Sequence, residues 1–176
     1  KPIQAGDLEH SDTHKVQSLV SNTQSQFHPN SYALQTPASP HLAAAKDGIT
    51  IDLNQIQEPE TTNHLVVEGA GGILVPLNDT QSVVDLIQSD YKVIVVSRHY
   101  LGSINHTLLT IEALQNREIQ VAGIIFSGDE NSSTESIILS RTAVPCLGRI
   151  AQEPYFDSNV ISEYADAFRD SLMKIQ

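Results

Sequence analysis

Three short segments place acids, small residues and polar groups where apolar runs break off. Glu68 follows Leu65-Val66-Val67 and precedes Gly69-Ala70-Gly71-Gly72. An acid there ends a buried strand and faces a ligand crevice. It could hold Mg²⁺ directly or through water, because that ion takes oxygen ligands and is commonly held by one or two carboxylates plus phosphates. The same carboxylate could instead cap the turn's own amides. The glycines let backbone approach a ligand and can line an anion site with N–H groups, although a tight turn needs the same residues. Asp12 follows Ser11 at a helix start. It could cap that helix or supply a second metal carboxylate. Gly102-Ser103-Ile104-Asn105-His106 opens another helix, whose free amides favour a carboxylate or phosphate. Ser103 and Asn105 could equally be caps, and His106 reads as a surface or packing residue.

Other chemistries find little support. His10 and His14 stand four residues apart, but no third metal ligand is evident near them. The single cysteine, Cys146, follows Pro145 in an apolar segment and reads as a small buried hydrophobe. No Gly-x-Ser-x-Gly elbow or Cys-x-x-Cys pair is present, so hydrolase and thiol-redox chemistry are not indicated. One cysteine cannot form an intrachain disulfide, which points to a reducing, cytoplasmic setting. With 10 Lys+Arg against 21 Asp+Glu the formal net charge is −11. That argues against a general nucleic-acid binder and against docking on anionic membranes. No apolar run approaches the roughly 18 residues that span a bilayer. Hydrophobic residues make up 40% of the 176, enough for one folded core.

These residues need elements to hold them. Beside Leu65-Val66-Val67, the runs Val93-Ile94-Val95-Val96, Val121-Ala122-Gly123-Ile124-Ile125-Phe126 and Val144-Pro145-Cys146-Leu147-Gly148 read as strands. They are continuous rather than alternating, which suits parallel strands covered on both faces. Helices are predicted over 82–88, 103–117 and 132–141, and at the C-terminus through Ile161, Tyr164, Phe168, Leu172 and Ile175. In the second of these, Ile104, Leu108, Ile111 and Leu114 or Gln115 mark the core stripe. Upstream, a helix starts at Ser11-Asp12 and runs through Val16, Leu19 and Val20. Ser39-Pro40 opens another, ended by Gly48. Residues 22–40 read as a long surface loop with a short element inside. Strand–helix alternation predicts an α/β fold with a parallel β-sheet flanked by helices and ligands at the strands' carboxyl ends.

Taken together, the segments resemble the dethiobiotin synthetase family. The resemblance runs, in order, through Lys1-Pro2-Ile3-Gln4-Ala5-Gly6, Ser11-Asp12, Ser39-Pro40-His41, Val67-Glu68-Gly69-Ala70-Gly71-Gly72 with Val75-Pro76-Leu77, and Leu101-Gly102-Ser103-Ile104-Asn105-His106-Thr107-Leu108-Leu109-Thr110. It covers nearly the whole chain. It implies a P-loop NTPase-like α/β fold and a homodimer. The implied reaction makes dethiobiotin from 7,8-diaminopelargonic acid, CO₂ and ATP, with Mg²⁺. By the same resemblance Lys1 is the catalytic lysine beside the transferring phosphate, and Asp12 and Glu68 are the Mg²⁺ and nucleotide carboxylates. Ala5, Ser39, Gly69, Ala70 and Gly71 match the region that holds substrate near the phosphates. Gly102, Ser103 and Asn105 match the helix start that receives the substrate carboxylate from the neighbouring subunit.

Two departures stand out. Ser127 follows Ile125-Phe126 where the family pattern leads us to expect an adenine-reading Asn. A hydroxyl lacks an amide's paired donor and acceptor, so base reading is looser or comes from residues 151–159. The family's Gly-x-x-x-x-x-Gly-Lys-Thr phosphate loop, expected before the Lys-Pro motif, is also not in the sequence. The expectation is therefore a single domain over 1–176, N-terminally incomplete, whose first strand and phosphate loop lie outside this chain. The sequence is also compatible with two other functions. One is a non-catalytic nucleotide- or effector-binding module on the same fold, and the other is a partitioning-type ATPase. The lysine and paired acids favour catalysis, since a binding module has no need of the lysine.

Overall fold

Ile3 and Leu34, both fully buried, anchor the first pair of strands. In the computed structural model, which describes residues 1–175, β1 (Ile3–Ala5) runs parallel to β2 (Tyr32–Leu34), with Ile3 opposite Tyr32 and Ala5 opposite Leu34. They belong to the first of two compact units, Lys1–Gln88 and Ser89–Gln176. Between the strands lies α1 (Asp12–Leu19), which buries none of its own residues. After β2, Ser39 takes the N-cap position of α2 (Pro40–Lys46). Pro40 sits in the first turn, where its missing N–H has no helical partner to lose. Ala43 and Ala44 face inward and close a core with Ile3, Leu34, Ile51, Leu77 and Val83.

Two expectations fail in this unit. Leu65-Val66-Val67 forms no strand, and Val66 is 87% exposed. A strand holds only when a neighbour takes its N–H and C=O groups, and among the described residues none pairs with this segment. Residues 82–88 form a single 3-10 turn, Val83–Leu86, rather than a helix. Ser82 and Asp85 close a capping box, and Val83 and Val84 are buried side by side. Successive residues do not share one helical face.

The second unit alternates strand and helix: β3 (Val93–Arg98), α3 (Ser103–Gln115), β4 (Val121–Ser127), α4 (Ser132–Thr142), β5 (Cys146–Ile150) and α5 (Ser158–Met173). The strands are parallel, in the order β3-β4-β5. The central strand β4 is covered on both faces, as its continuous apolar run predicts, and buries Gly123, Ile124 and Phe126. β3 is not so covered: Val95 is buried but Val96 is 65% exposed. Helix α3 buries Ile111 and Leu114 as expected, but nearer its start it buries Ser103 and Thr107, one residue back from the expected Ile104 and Leu108. The Thr107 hydroxyl meets that of Ser97 on β3 at 2.7 Å, both buried. This hydroxyl pair satisfies two polar groups inside the contact and sets the helix's rotation. Cys146 is exposed, contrary to its reading as a buried hydrophobe. It opens β5, and Leu147 takes the inward position instead. No described helix is long and apolar enough to cross a membrane.

Candidate active site

The turn after β1 sets the geometry. Gly6 adopts φ +71° and Asp7 follows at φ 49°. A Cβ on Gly6 would lie 2.5 Å from the Pro37 side chain, so only glycine fits. The Gly6 amide donates to the Leu34 carbonyl at 2.8 Å, and the buried Gln4 side-chain amide donates to the Gly6 carbonyl at 2.9 Å. The chain is thereby returned toward Ser11, whose hydroxyl accepts from the His14 amide at 3.4 Å as the cap of α1. Ser11 does the capping, which leaves the Asp12 carboxylate free for another partner.

That partner is Lys1. Its ammonium hydrogen-bonds Asp12 Oδ2 and donates to Glu68 Oε1 at 3.2 Å. The Lys1 side chain is 12% exposed, against 37% for Asp12 and 59% for Glu68. Burial works to lower the Lys1 pKa, but the hydrogen bond to Asp12 and the charge of Glu68 outweigh it. The net effect holds the ammonium above the ordinary lysine value. The hydrogen bond from Lys1 holds the Asp12 carboxyl below the usual carboxylate range. Burial opposes this, and the Lys1 and Lys15 charges add to it. Lys15, one helical turn on, reaches Asp7 at 3.3 Å and Asp12 at 3.8 Å. Three residues far apart in sequence therefore converge as one protonated amine between two carboxylates. No bond from the glycine-rich turn to Glu68 is present among the described residues, so Glu68 is not its cap. No group of three or more His, Cys, Asp or Glu able to hold a metal occurs among them either. His10 and His14 are both exposed and form no such group. Asp12 and Glu68 can offer a cation two oxygen donors, with the remaining ligands coming from elsewhere.

The sequence as a whole has clear relatives. The AAA domain family matches residues 1–159. The ATP-dependent dethiobiotin synthetase of Christiangramia forsetii is 58% identical over 175 residues, covering 99% of this chain and 84% of that protein. This chain belongs to the dethiobiotin synthetase family. The enzyme of the same name from Cytophaga hutchinsonii is 48% identical, covering 94% of this chain and 81% of that one. One from Rhodopseudomonas palustris is 43% identical, with 96% and 76% covered.

The other residues that the family resemblance singles out fall into two groups. In the first unit, Ala5 ends β1 half-buried, immediately before the Gly6 turn. Ser39 caps α2 by position, yet its hydroxyl makes no capping hydrogen bond. Gly69 and Ala70 are half-buried, Gly71 is exposed at φ +84°, and Ala70 packs against the core of that unit. In the second unit, Gly102 is the cap residue of α3 in the left-handed region, φ 103°, with no side chain capping the helix. Ser103 is buried and so is no free ligand in this arrangement. Asn105 is exposed and borders a cleft of about 460 Å³ with Leu108, Glu112 and Arg141. His106 lies at the surface, its Nδ1 2.6 Å from the Tyr100 hydroxyl. Ser127 stands half-buried at the carboxyl end of β4.

Residue-level reasoning missed Lys15, whose i,i+3 spacing from Asp12 on a helix was the available signal. It also missed a cluster beyond Ser127. There His99, Glu135 and Arg149 come together at the carboxyl ends of β3 and β5 and the start of α4. These residues are widely separated in sequence and no local spacing announces them.

Proposed function

We propose that this chain carries out the ATP-dependent conversion of 7,8-diaminopelargonic acid and CO₂ to dethiobiotin, with ADP and phosphate as products. The observation that carries this reading is the Lys1 ammonium held between Asp12 and Glu68. In the reaction one substrate amine adds to CO₂ and loses a proton, giving a carbamate. A carbamate oxygen then takes the γ-phosphoryl group, and ADP leaves. The second amine attacks the carbonyl carbon, the C–O bond to phosphate breaks, and the ureido ring closes. Each step before ring closure places negative charge on carbamate and phosphoryl oxygens. A fixed ammonium is suited to that charge, because preorganised positive charge acts where charge develops. Keeping Lys1 protonated is what its two carboxylates do.

Asp12 and Glu68 fit Mg²⁺ as hard oxygen donors in a two-carboxylate site of the kind completed by phosphates. When bound there, the ion supplies further neutralisation of phosphate charge. Ala5, Ser39 and the Gly69–Ala70–Gly71 backbone are assigned to the diamine end of the substrate. Gly102 and Asn105 at the start of α3 are assigned to its carboxylate, across a homodimer, where unpaired helix amides favour an anion. Ser103 is buried and its amide donates to the Tyr100 carbonyl at 3.0 Å, so it serves there by fixing the turn that leads into α3. Ser127 is assigned to the nucleotide base, and the enzyme to the cytoplasm. The test is incubation with diaminopelargonic acid, bicarbonate, Mg²⁺ and ATP, with dethiobiotin detected by mass spectrometry. Lys1→Ala and Glu68→Gln should each cut product formation at least about 100-fold, as loss of a charge-stabilising donor does. Nucleotide binding without product in the unaltered chain would favour a non-catalytic binding module instead.

A further inference from the structure

We propose that His99, Glu135 and Arg149 form a positioning network that fixes the Ser127–Asn131 loop as the base-facing edge of the nucleotide site; this rests on the assignment of Ser127 given above. Ligands of parallel sheets collect at the strands' carboxyl ends, and this loop leaves the central strand of the second unit at that end. It is tied at three levels. The His99 amide donates to the Ser127 carbonyl at 2.8 Å, and the Gly128 amide donates to the Ile150 carbonyl at 2.8 Å, so strands β3 and β5 hold it from both sides. The His99 ring, 5.6 Å from that of Phe126, places Nδ1 2.7 Å from the Asp129 carbonyl. A carbonyl only accepts, so Nδ1 carries the proton. That leaves the buried Nε2 without a hydrogen-bond partner, 3.5 Å from Glu135 Oε1, an oxygen that accepts instead from Arg149 Nε at 2.9 Å and from the Asn131 amide, at the end of the loop, at 3.4 Å. Arg149 also reaches Glu130, within the loop, at 3.5 Å.

Glycine is required inside this arrangement. Gly128 has φ +118°, and a Cβ there would lie 3.2 Å from that of His99. The His99 and Glu135 side chains are only 10% and 14% exposed. They do not need to touch a ligand to act. Their effect passes through the loop backbone: with the Ser127 and Asp129 carbonyls and the Gly128 amide held in place, the rest of the loop is fixed where a purine edge can meet it. Such a loop would supply base contacts that the Ser127 hydroxyl cannot supply alone.

The variants are His99→Leu and His99→Asn, with Glu135→Gln as a third. Asn places a donor near the Nδ1 position, while Leu removes both ring contacts. Steady-state kinetics of dethiobiotin formation are measured with ATP and with GTP. For His99→Leu, KM for ATP should rise about tenfold, with kcat and the KM for diaminopelargonic acid within about twofold. The ATP-to-GTP ratio of kcat/KM should fall, and His99→Asn should recover most of the loss. An unchanged KM for ATP would overturn the proposal, as would equal losses in all three constants, or no recovery with Asn. If thermal melts show His99→Leu unfolded at assay temperature, Glu135→Gln carries the same comparison. If the unaltered chain makes no dethiobiotin, the reaction assignment fails separately, and the network is then read from ATP affinity by calorimetry in the same variants.

Discussion

Replacing Asp12 with Asn tests the charge arrangement without changing its size. The amide can still lie beside Lys1 but no longer balances it. Removing one partner of a fully buried pair costs about 3–5 kcal/mol, whereas exposed pairs are worth about 0–1 kcal/mol. Here Lys1 is 12% exposed and Asp12 37%, and Glu68 remains at 3.2 Å, so the loss falls between these limits. A cost of about 1–2 kcal/mol is expected. For a chain of this size that lowers Tm by about 2–8 °C. The pH dependence is the sharper signature. The Asp12 carboxyl is held below its ordinary value, so its contribution is fully present above about pH 4 and fades as pH falls through the lowered value. Lys1 is held above its ordinary value, so its contribution is present below about pH 10 and fades as pH rises through the raised value. The stability difference between the unaltered chain and Asp12→Asn should therefore be flat from about pH 5 to 9 and shrink at both extremes. Urea denaturation across that range measures it. A difference that stays constant down to pH 2 would refute the pairing. Unchanged Tm at neutral pH together with full activity would refute both the pairing and its role in catalysis.

Three further outcomes follow from the packing. Phe126→Ala empties a fully buried position in the central strand and should cost about 3–5 kcal/mol in urea denaturation. Gly6→Ala forces a side chain into a left-handed turn and onto Pro37. It should destabilise the chain by about 2 kcal/mol or more and lower dethiobiotin formation, because the turn leads to Asp12. Cys146, being exposed, should react with a disulfide reagent in the folded chain nearly as fast as in urea, whereas protection would place it inside.

The elements that were legible are those with local signals. Ser11 before a polar-apolar repeat, Ser39-Pro40, and the isolated β-branched runs at 93–96 and 121–126 each carry their own start or period, and they appear where expected. Leu65-Val66-Val67 has the same composition as those runs but no ladder, because strand formation depends on a neighbour and composition does not report one. Ile111 and Leu114 of α3 are buried as their apolar spacing predicts, but toward its start the buried positions are Ser103 and Thr107 rather than Ile104 and Leu108. Apolar spacing does not report the buried Ser97–Thr107 hydroxyl pair at that end. In the site, Asp12 was visible as an acid at a helix start and Glu68 as one beside a glycine-rich turn, but Lys1 was visible only through the family resemblance. Nothing local distinguishes it from any other lysine; its meaning comes from two carboxylates 11 and 67 residues away.

The net charge of −11 poses a question for a chain assigned to phosphate chemistry, and the site answers it. Charges in water at physiological salt act over about 8 Å, so the global balance has little bearing on a phosphoryl group already in the site. What matters is the local field, and there the Lys1 side-chain ammonium is shared between two acids rather than left free. An approaching phosphate must therefore draw Lys1 partly away from Asp12 and Glu68. That competition disfavours simple anions, which offer the ammonium nothing beyond what the carboxylates already give. A ligand that also brings a cation for the two released carboxylates faces no such loss. The arrangement thus favours a phosphate delivered together with a divalent cation over bare anions, a selectivity that a lone exposed lysine could not provide. Weak binding of inorganic sulfate or phosphate without Mg²⁺, and tighter binding with it, is the expected result by calorimetry. Equal affinity in both conditions would show that the carboxylates do not compete for Lys1.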